Sequence, residues 1–431
     1  MGELHHPHNR GQVFKEKYTA HAGSVAEADG RPRPIASPRT ALCPKASCLA
    51  AASTACLMSA SFFAAVAARI CKEKGIVTEN QTPVSFKKSR KRDQPHYGYR
   101  AHSVNMTAIY KIVRARCNMG DWILALLIGF ILDLLLGDPV WLHHPVCLIG
   151  KYISFMEKKL RKRGGNLRRS AVLLTASTVL LTMAVAAMIL WALSLLGRIP
   201  LLIGMALLDW MGIAVTCMAG EARGVEKALQ KGVEAGRTQV SRIVGRDTQS
   251  LNEEEIIKAT VETVAENTTD GVISPLLYAA IGGPVLLWSF KAANTLDSMV
   301  GYLDEKYRDI GWSSARLDDI FNYVPARITA GLMCLSAFFT GMDGKNALRI
   351  VRRDHTNHKS PNCAWSEAAA AGALHIQLGG THDYFGKPVE KPAIGDADRP
   401  AERADIGRAN KLLYGTSGLM LMLILLIAIL L

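Results

Sequence analysis

Between Glu262 and Arg327 the chain gathers side chains suited to handling charged reactants. Glu262, Glu266, Asn267 and Asp270 open the stretch, and an uncharged run over 271–290 comes after them. Lys291, Asn294, Asp297, Ser298 and Gly301 then recur at i, i+3, i+6, i+7 and i+10, close to one face of a helix. Asp318, Asp319 and Asn322 come next, with Arg308, Arg316 and Arg327 beside them. A solvated helix would favour Lys and Glu, which lose little rotamer freedom there. Asp, Asn, Ser and Arg between apolar runs are costly to bury unless paired or used. The pattern predicts an active site at a membrane surface, with a buried structural network as the plainer alternative.

Two outlying segments carry further candidates. In SRIVGRDT (241–248), Gly245-Arg246-Asp247 reads as a helix end, with Arg242 and Arg246 four apart on one face. Arginines so placed suit phosphate or carboxylate capture, or else form surface ion pairs. Ser250 with Glu253 reads as a capping box opening the next helix. Further on, Ser360-Pro361-Asn362 predicts a turn into an Ala-rich helix with Glu367 in its first turns. Gly379-Gly380 then leads into a Tyr/Phe/Gly loop with Lys387 and Lys391, where a backbone could approach a phosphorylated ligand closely.

The elements that must position these groups are mostly apolar helices. The 431 residues are 49% hydrophobic, and the long uncharged runs indicate a membrane protein. Spans are predicted at 122–136, 171–197, 201–220 and 412–431, with Asp133 and Asp209 as the ionisable residues inside them. A charge at such a position faces protein or polar substrate rather than lipid. Gly137-Asp138-Pro139 should stop the first helix, and Trp141 to Pro145 should form a rigid turn with structural histidines. The basic run at 158–169 marks the cytoplasmic side. The runs at 271–290 and 328–342 are doubtful spans, the first broken by Pro275 and Gly282-Gly283-Pro284, the second short. Reading both as re-entrant or interfacial keeps every polar motif on the basic side. The expected fold is therefore all-α: a polytopic helical membrane protein with cytoplasmic-side helical regions and re-entrant or interfacial helices.

Residues 1–118 differ from the rest. They hold 19 Lys and Arg against 7 Asp and Glu, so most of the net charge of +14 belongs to them and the body is nearly neutral. The basic balance therefore gives no reason to expect the body to bind nucleic acid. This segment lacks helical or strand periodicity, and its uncharged run, 46–68, is built of Ala, Ser, Thr and Cys, weak drivers of insertion. It reads as a segment without a stable fold, and 119–431 as the working domain, expected to function when started at Met119. The nine Cys form no CxxC pair or Cys/His cluster with zinc spacing and read as reduced structural thiols.

Five stretches together resemble the CobD/CbiB family of cobalamin-biosynthesis membrane proteins. They are GFILDLLLGDPVWLHHPVCLIG (129–150), SRIVGRDT (241–248), ATVETVAENTTDGVISPLLYA (259–279), NTLDSMVGYLDEKYRDIGWSSARLDDIFNYVPAR (294–327) and SPNCAWSEAAAAGALHIQLGG (360–380). The resemblance covers about 119–414 and departs from the family pattern at His144, where Pro is expected. It implies an adenosylcobinamide-phosphate synthase. Such an enzyme joins the propionate carboxylate of (adenosyl)cobyric acid to the amine of aminopropanol or its phosphate, driven by ATP. Activating a carboxylate as an acyl phosphate needs Mg²⁺ on acidic oxygens and cations around phosphoryl groups. Asp297, Asp318, Asp319 and Glu266 are the catalytic candidates, and Asp270 with Asp297 the candidate Mg²⁺ ligands. Arg242, Arg246, Asn267, Lys291, Asn294, Arg308, Arg316, Arg327, Asn362, Gly379 and Gly380 are the substrate-binding candidates. With no GxxxxGK[ST] in the chain, any ATP site is not a P-loop. The implied partners are corrinoid and amino-alcohol phosphate substrates, the lipid bilayer and other corrinoid-assembly enzymes, with no nucleic acid. The implied location is the cell membrane, multi-pass, with the active side cytoplasmic. The competing reading is a corrinoid-handling membrane protein or permease without catalysis, which would carry ionisable groups along its spans.

Overall fold

The computed structural model describes residues 119–431 except 140–143, 303 and 385–386, and the side chains of 381–390 are likewise outside the description. The expectations for 1–118, Trp141 and His143 fall outside it. The first helix, α1 (Met119–Leu136), ends where predicted: Gly137 takes a left-handed φ of 55° and returns its N–H to the Asp133 carbonyl. Asp133, the charge within the first apolar run, faces protein. Its carboxylate accepts from the N–H groups of Val215 and Thr216, at 3.1 and 3.3 Å, and so caps a helix it is not part of. His144 is structural too. One ring nitrogen accepts from Val146 N–H at the start of α2 (Pro145–Arg163), and the other lies 2.7 Å from the Met211 carbonyl.

The basic end of α2 turns through Gly164-Gly165 into α3 (Leu167–Leu195), whose N-cap Asn166 accepts from two backbone N–H groups. The helices α4 (Arg198–Gly212) and α5 (Val215–Leu229) run nearly end to end, and α6 (Val233–Val240) is short. Because α6 stops at Val240, SRIVGRDT is not helical, and Arg242 and Arg246 share no helix face, a correction to the spacing argument. The capping box of α7 (Glu253–Asn267) is also two residues later than expected. Asn252 and Glu255 form it reciprocally, leaving Ser250 in the preceding turn.

After α7 the backbone passes through a π-helical segment, Thr268–Ile273, into α8 (Ser274–Val300). The run at 271–290 covers the end of that π segment and the first part of α8. It is part of a helical stretch from Glu253 to Val300, interrupted at Gly282-Gly283, where Gly283 takes φ 65° just before Pro284. The run at 328–342 begins in the second half of a long helix, α9 (Trp312–Phe339), and ends in the turn after it. Beyond it lie α10 (Gly344–Asp354), α11 (Cys363–Leu374) and α12 (Arg403–Leu430). The glycine loop proves to be an antiparallel hairpin of β1 (Leu378–Tyr384) and β2 (Lys387–Ile394), irregular at Leu378/Gly380. Gly379 has φ 79°, and a Cβ there would collide with the Pro392 carbonyl, which is why glycine stands second in this strand.

Among the described residues five helical stretches are long and apolar enough to cross a membrane: Met119–Leu136, Leu167–Leu195, Arg198–Leu229, Glu253–Val300 and Arg403–Leu430. Four correspond to the predicted spans and the fifth contains 271–290. The chain is a helical membrane protein, as expected, with a single small hairpin among the described residues. Large apolar side chains that a water-soluble protein would bury, Leu135, Leu195, Ile199 and Ile429 among them, stand exposed on these helices.

Candidate active site

Four segments bring the predicted polar residues together. On α7, Glu262 and Glu266 lie one turn apart, and α7 runs straight into the π segment that carries Asp270. A π turn inserts one residue into the helical repeat and so rotates the next turns relative to the preceding ones; such turns recur at functional sites. Here it changes the phase between the glutamates and Asp270. Past Ser274, α8 supplies Lys291, Asn294 and Asp297 on adjacent turns, α9 supplies Asp318, Asp319 and Asn322, and the turn into α11 supplies Ser360 and Asn362.

The centre is a hydrogen-bonded chain. The Asn294 side-chain amide donates to Asp270 at 3.0 Å and to Asp318 at 3.3 Å. Asn322 donates to the other oxygen of Asp318 at 3.0 Å and accepts from the Ser274 hydroxyl at 2.7 Å. Two carboxylates of the same sign are thus held apart and in register by neutral amides. Asp297 sits beside them with no hydrogen bond to its carboxylate among the described residues, and Asp318, Asp319 and Glu266 are its charged neighbours. A Cβ on Gly301 would strike that carboxylate, which explains the glycine four residues on. Asp319 accepts from Ser360 at 3.5 Å, and its backbone carbonyl accepts from Asn362 at 2.9 Å. Burial raises the Asp318 carboxyl to about 6 and raises that of Asp319 against the lowering effect of Arg316.

A second carboxylate group adjoins the first. Glu262 is buried and fully engaged, accepting from Arg246 at 2.8 Å and from the Gly379 N–H at 2.9 Å. Glu266 accepts from the Cys363 thiol at 3.3 Å. Near both lies Glu367, the lone charge on Ala-rich α11, whose carboxyl burial and the nearby Glu262 and Glu266 push up to about 8. Lys391 and Arg246 oppose that rise without cancelling it. Burial with the nearby Lys391 also lowers the His358 imidazole.

The remaining candidates divide. Lys291 is buried, with Asp138 and Asp270 as its carboxylate neighbours, which ties the turn after α1 to the site. Arg327 stacks 3.6 Å over the Tyr323 ring and 4.7 Å from Trp365, and donates to Asn362 at 3.2 Å, so it braces the turn into α11. Arg246 points inward to Glu262, whereas Arg242 lies by Glu221. Asn267 turns back on its own helix, donating to the Thr263 carbonyl. Arg308 is exposed, and Arg316 is exposed and 3.9 Å from Asp319. Gly380 makes no close approach that excludes a side chain, though its φ of 104° favours glycine. The site residues not selected from the sequence are Glu367, His358, Ser360 and Cys363. The signal for Glu367 was present, since a single charge in an Ala-rich helix is expensive unless it faces a site.

Seven carboxylates stand against Arg246, Lys291, Lys391 and Arg316, so the cluster is short of positive charge. Among the described residues no three His, Cys, Asp or Glu side chains meet closely enough to form a complete metal cage. That donor set still fits Mg²⁺, which takes one or two carboxylates and completes its shell with water and substrate phosphates. Asp270 and Asp297 are the half-buried oxygen donors available for it.

Comparison with known proteins gives a consistent result. A family described as "CobD/Cbib protein" matches residues 126–413. The chain is 48% identical over 298 residues to a protein from Geobacter metallireducens named "Cobalamin biosynthesis protein CobD", covering 69% of this chain and 94% of that protein. It is 48% identical to one of the same name from Listeria monocytogenes, covering 67% and 93%. It is 45% identical to a "Cobalamin biosynthesis protein CbiB" from Salmonella arizonae, covering 70% and 96%. No solved structure matches the chain.

Proposed function

This chain belongs to the CobD/CbiB family and acts in cobalamin biosynthesis, and we propose that it does so as an amide-forming ligase of the adenosylcobinamide-phosphate synthase type. The reaction joins a propionate carboxylate of (adenosyl)cobyric acid to the amine of aminopropanol or aminopropanol phosphate. A carboxylate is a poor electrophile, so ATP is taken to convert it to an acyl phosphate. The amine then displaces phosphate and loses a proton. Mg²⁺, held by Asp270 and Asp297, would supply charge neutralisation at the transferring phosphoryl group.

The observation that carries this reading is the excess of carboxylates around Asp270, Asp297 and Asp318. An uncompensated acidic cluster suits Mg²⁺ and an ammonium substrate, the two cations the reaction brings. Asn294 and Asn322 keep Asp270 and Asp318 oriented. Arg327 and Asn362 brace one wall, and Lys291 beside Asp270 and Arg316 beside Asp319 are the cations that would meet the anionic reactants. As for the permease reading, Asp133 caps a helix instead of lining a path, and Glu262, Glu266, Asp270, Lys291 and Asp297, within Glu253–Val300, gather in one cluster instead of spreading along it. Membranes containing the protein, given cobyric acid, aminopropanol phosphate and Mg-ATP, are expected to form cobinamide phosphate detectable by mass. Absence of any amide product, with either amine and with ATP present, would remove the ligase assignment.

We further propose that the site opens to the cytoplasm. Arg161 at the basic end of α2 donates to the Lys306 carbonyl at 2.8 Å, and Arg168 pairs with Asp309 at 3.0 Å. The loop before α9 therefore lies on the side marked by the basic run. Single cysteines at exposed Glu305 and Lys359, in a chain stripped of its own cysteines, should resist an impermeant thiol reagent in whole cells and react after lysis. Labelling of either in intact cells would reverse the orientation.

A further inference from the structure

The structure assigns a binding surface for anionic phospholipid headgroups to α10, apart from the acidic site. Along this helix Lys345, Leu348, Arg349, Arg352 and Arg353 fall at i, i+3, i+4, i+7 and i+8 on the exposed face, while Ala347, Ile350 and Val351 are buried on the other. The exposed residues line an open groove of about 520 Å³. Its charge is only partly used within the protein. Arg349 and Arg353 share Asp396, and Arg353 also grips Asp354 at 2.7 and 2.8 Å. Lys345 and Arg352 have no acidic partner among the described residues, so the groove keeps a positive surplus.

The surroundings of the groove decide between a lipid and a soluble anion. Just before α10, the end of α9 exposes Leu335, Phe338 and Phe339, the last of them 74% accessible. Leu348 stands exposed among the cations. A site for a soluble phosphate gains nothing from exposed aromatic rings at its edge. A helix lying at a bilayer surface needs both an apolar edge entering the acyl region and cations at headgroup depth. Five apolar helical stretches put the same molecule in a bilayer. Each Lys or Arg near an anionic surface adds an increment of attraction that salt screens.

The test uses the full chain purified in detergent, with bound lipids counted by native mass spectrometry during titration with phosphatidylglycerol or phosphatidylcholine. Wild type should retain phosphatidylglycerol preferentially. The double variant Lys345→Gln, Arg352→Gln removes the two cations without internal acidic partners, and its apparent affinity for that lipid should fall roughly tenfold or more. Both residues are exposed, so the thermal midpoint should hold. Equal retention of the two lipids by wild type, or an unchanged affinity in the variant, overturns the assignment. So does displacement of the lipid by inorganic phosphate beyond that caused by chloride at equal ionic strength, which would make the groove a soluble-phosphate site. Binding of a short oligonucleotide in place of lipid, lost in the same variant, overturns it in favour of nucleic acid.

Discussion

Asp297→Asn is expected to lower turnover by roughly 10² or more, the scale for losing a positioned catalytic group, in a protein that accumulates and folds normally. The charged neighbours of Asp297 are Asp318, Asp319 and Glu266, all of its own sign. Its carboxylate makes no hydrogen bond among the described residues, so the fold loses no such bond when the charge is removed. Relief of like-charge repulsion should leave the thermal midpoint unchanged or raise it. A structural role would require a cation beside it. Lys291, on the same helix, instead has Asp138 and Asp270 as its carboxylate neighbours. Turnover, Mg²⁺ dependence and midpoint measured together separate the cases. A stable Asp297→Asn protein with near-wild-type turnover would take this residue out of the site, and a scarce, unstable one would make it structural.

The same contrast shows how far the sequence can be read. Apolar runs identify four of the helices that are long and apolar enough to span, because hydrophobic length is a one-dimensional property. Spacing places Lys291, Asn294 and Asp297 together, because α8 is regular there. It fails for Arg242 and Arg246, where α6 stops at Val240. The π segment at Thr268–Ile273 is illegible, since it reflects packing demands that no residue type announces. The hairpin at 378–394 reads as a loop because its glycines and prolines argue against regular strands, and a two-stranded ribbon tolerates them. The partnership of Glu262 with both Arg246 and Gly379 joins residues 16 and 117 positions away, and no local pattern encodes that. The chemistry of the site is thus visible in residue types. Which carboxylates are neutralised and which remain free is decided only by long-range packing.

That distinction gives Glu367 its interest. Glu262 is satisfied by two donors, whereas Glu367, buried near Glu262 and Glu266 on an alanine-rich helix, has its carboxyl pushed up to about 8. One cause here has two effects, on stability and on turnover. In the unfolded chain this group titrates near 4.5, so between there and about 8 the folded protein binds the extra proton. Stability is therefore full at low pH and is lost as pH rises through that window, at a slope approaching 1.4 kcal/mol per pH unit for one proton, by roughly this linkage. Glu367→Gln keeps the shape and stays neutral, so its midpoint should fall less than wild type's as pH rises from about 5 to about 8. In the proposed reaction the attacking amine must shed a proton, and a buried carboxylate titrating near 8 is well matched to receive it. Wild-type turnover should then rise with pH up to about 8. Glu367→Gln should lose roughly 10² of turnover together with that rise, although it is the more stable protein at high pH. A variant that gains stability yet keeps near-wild-type turnover and an unchanged pH profile would leave Glu367 a buried structural acid and move the proton acceptor elsewhere in the cluster.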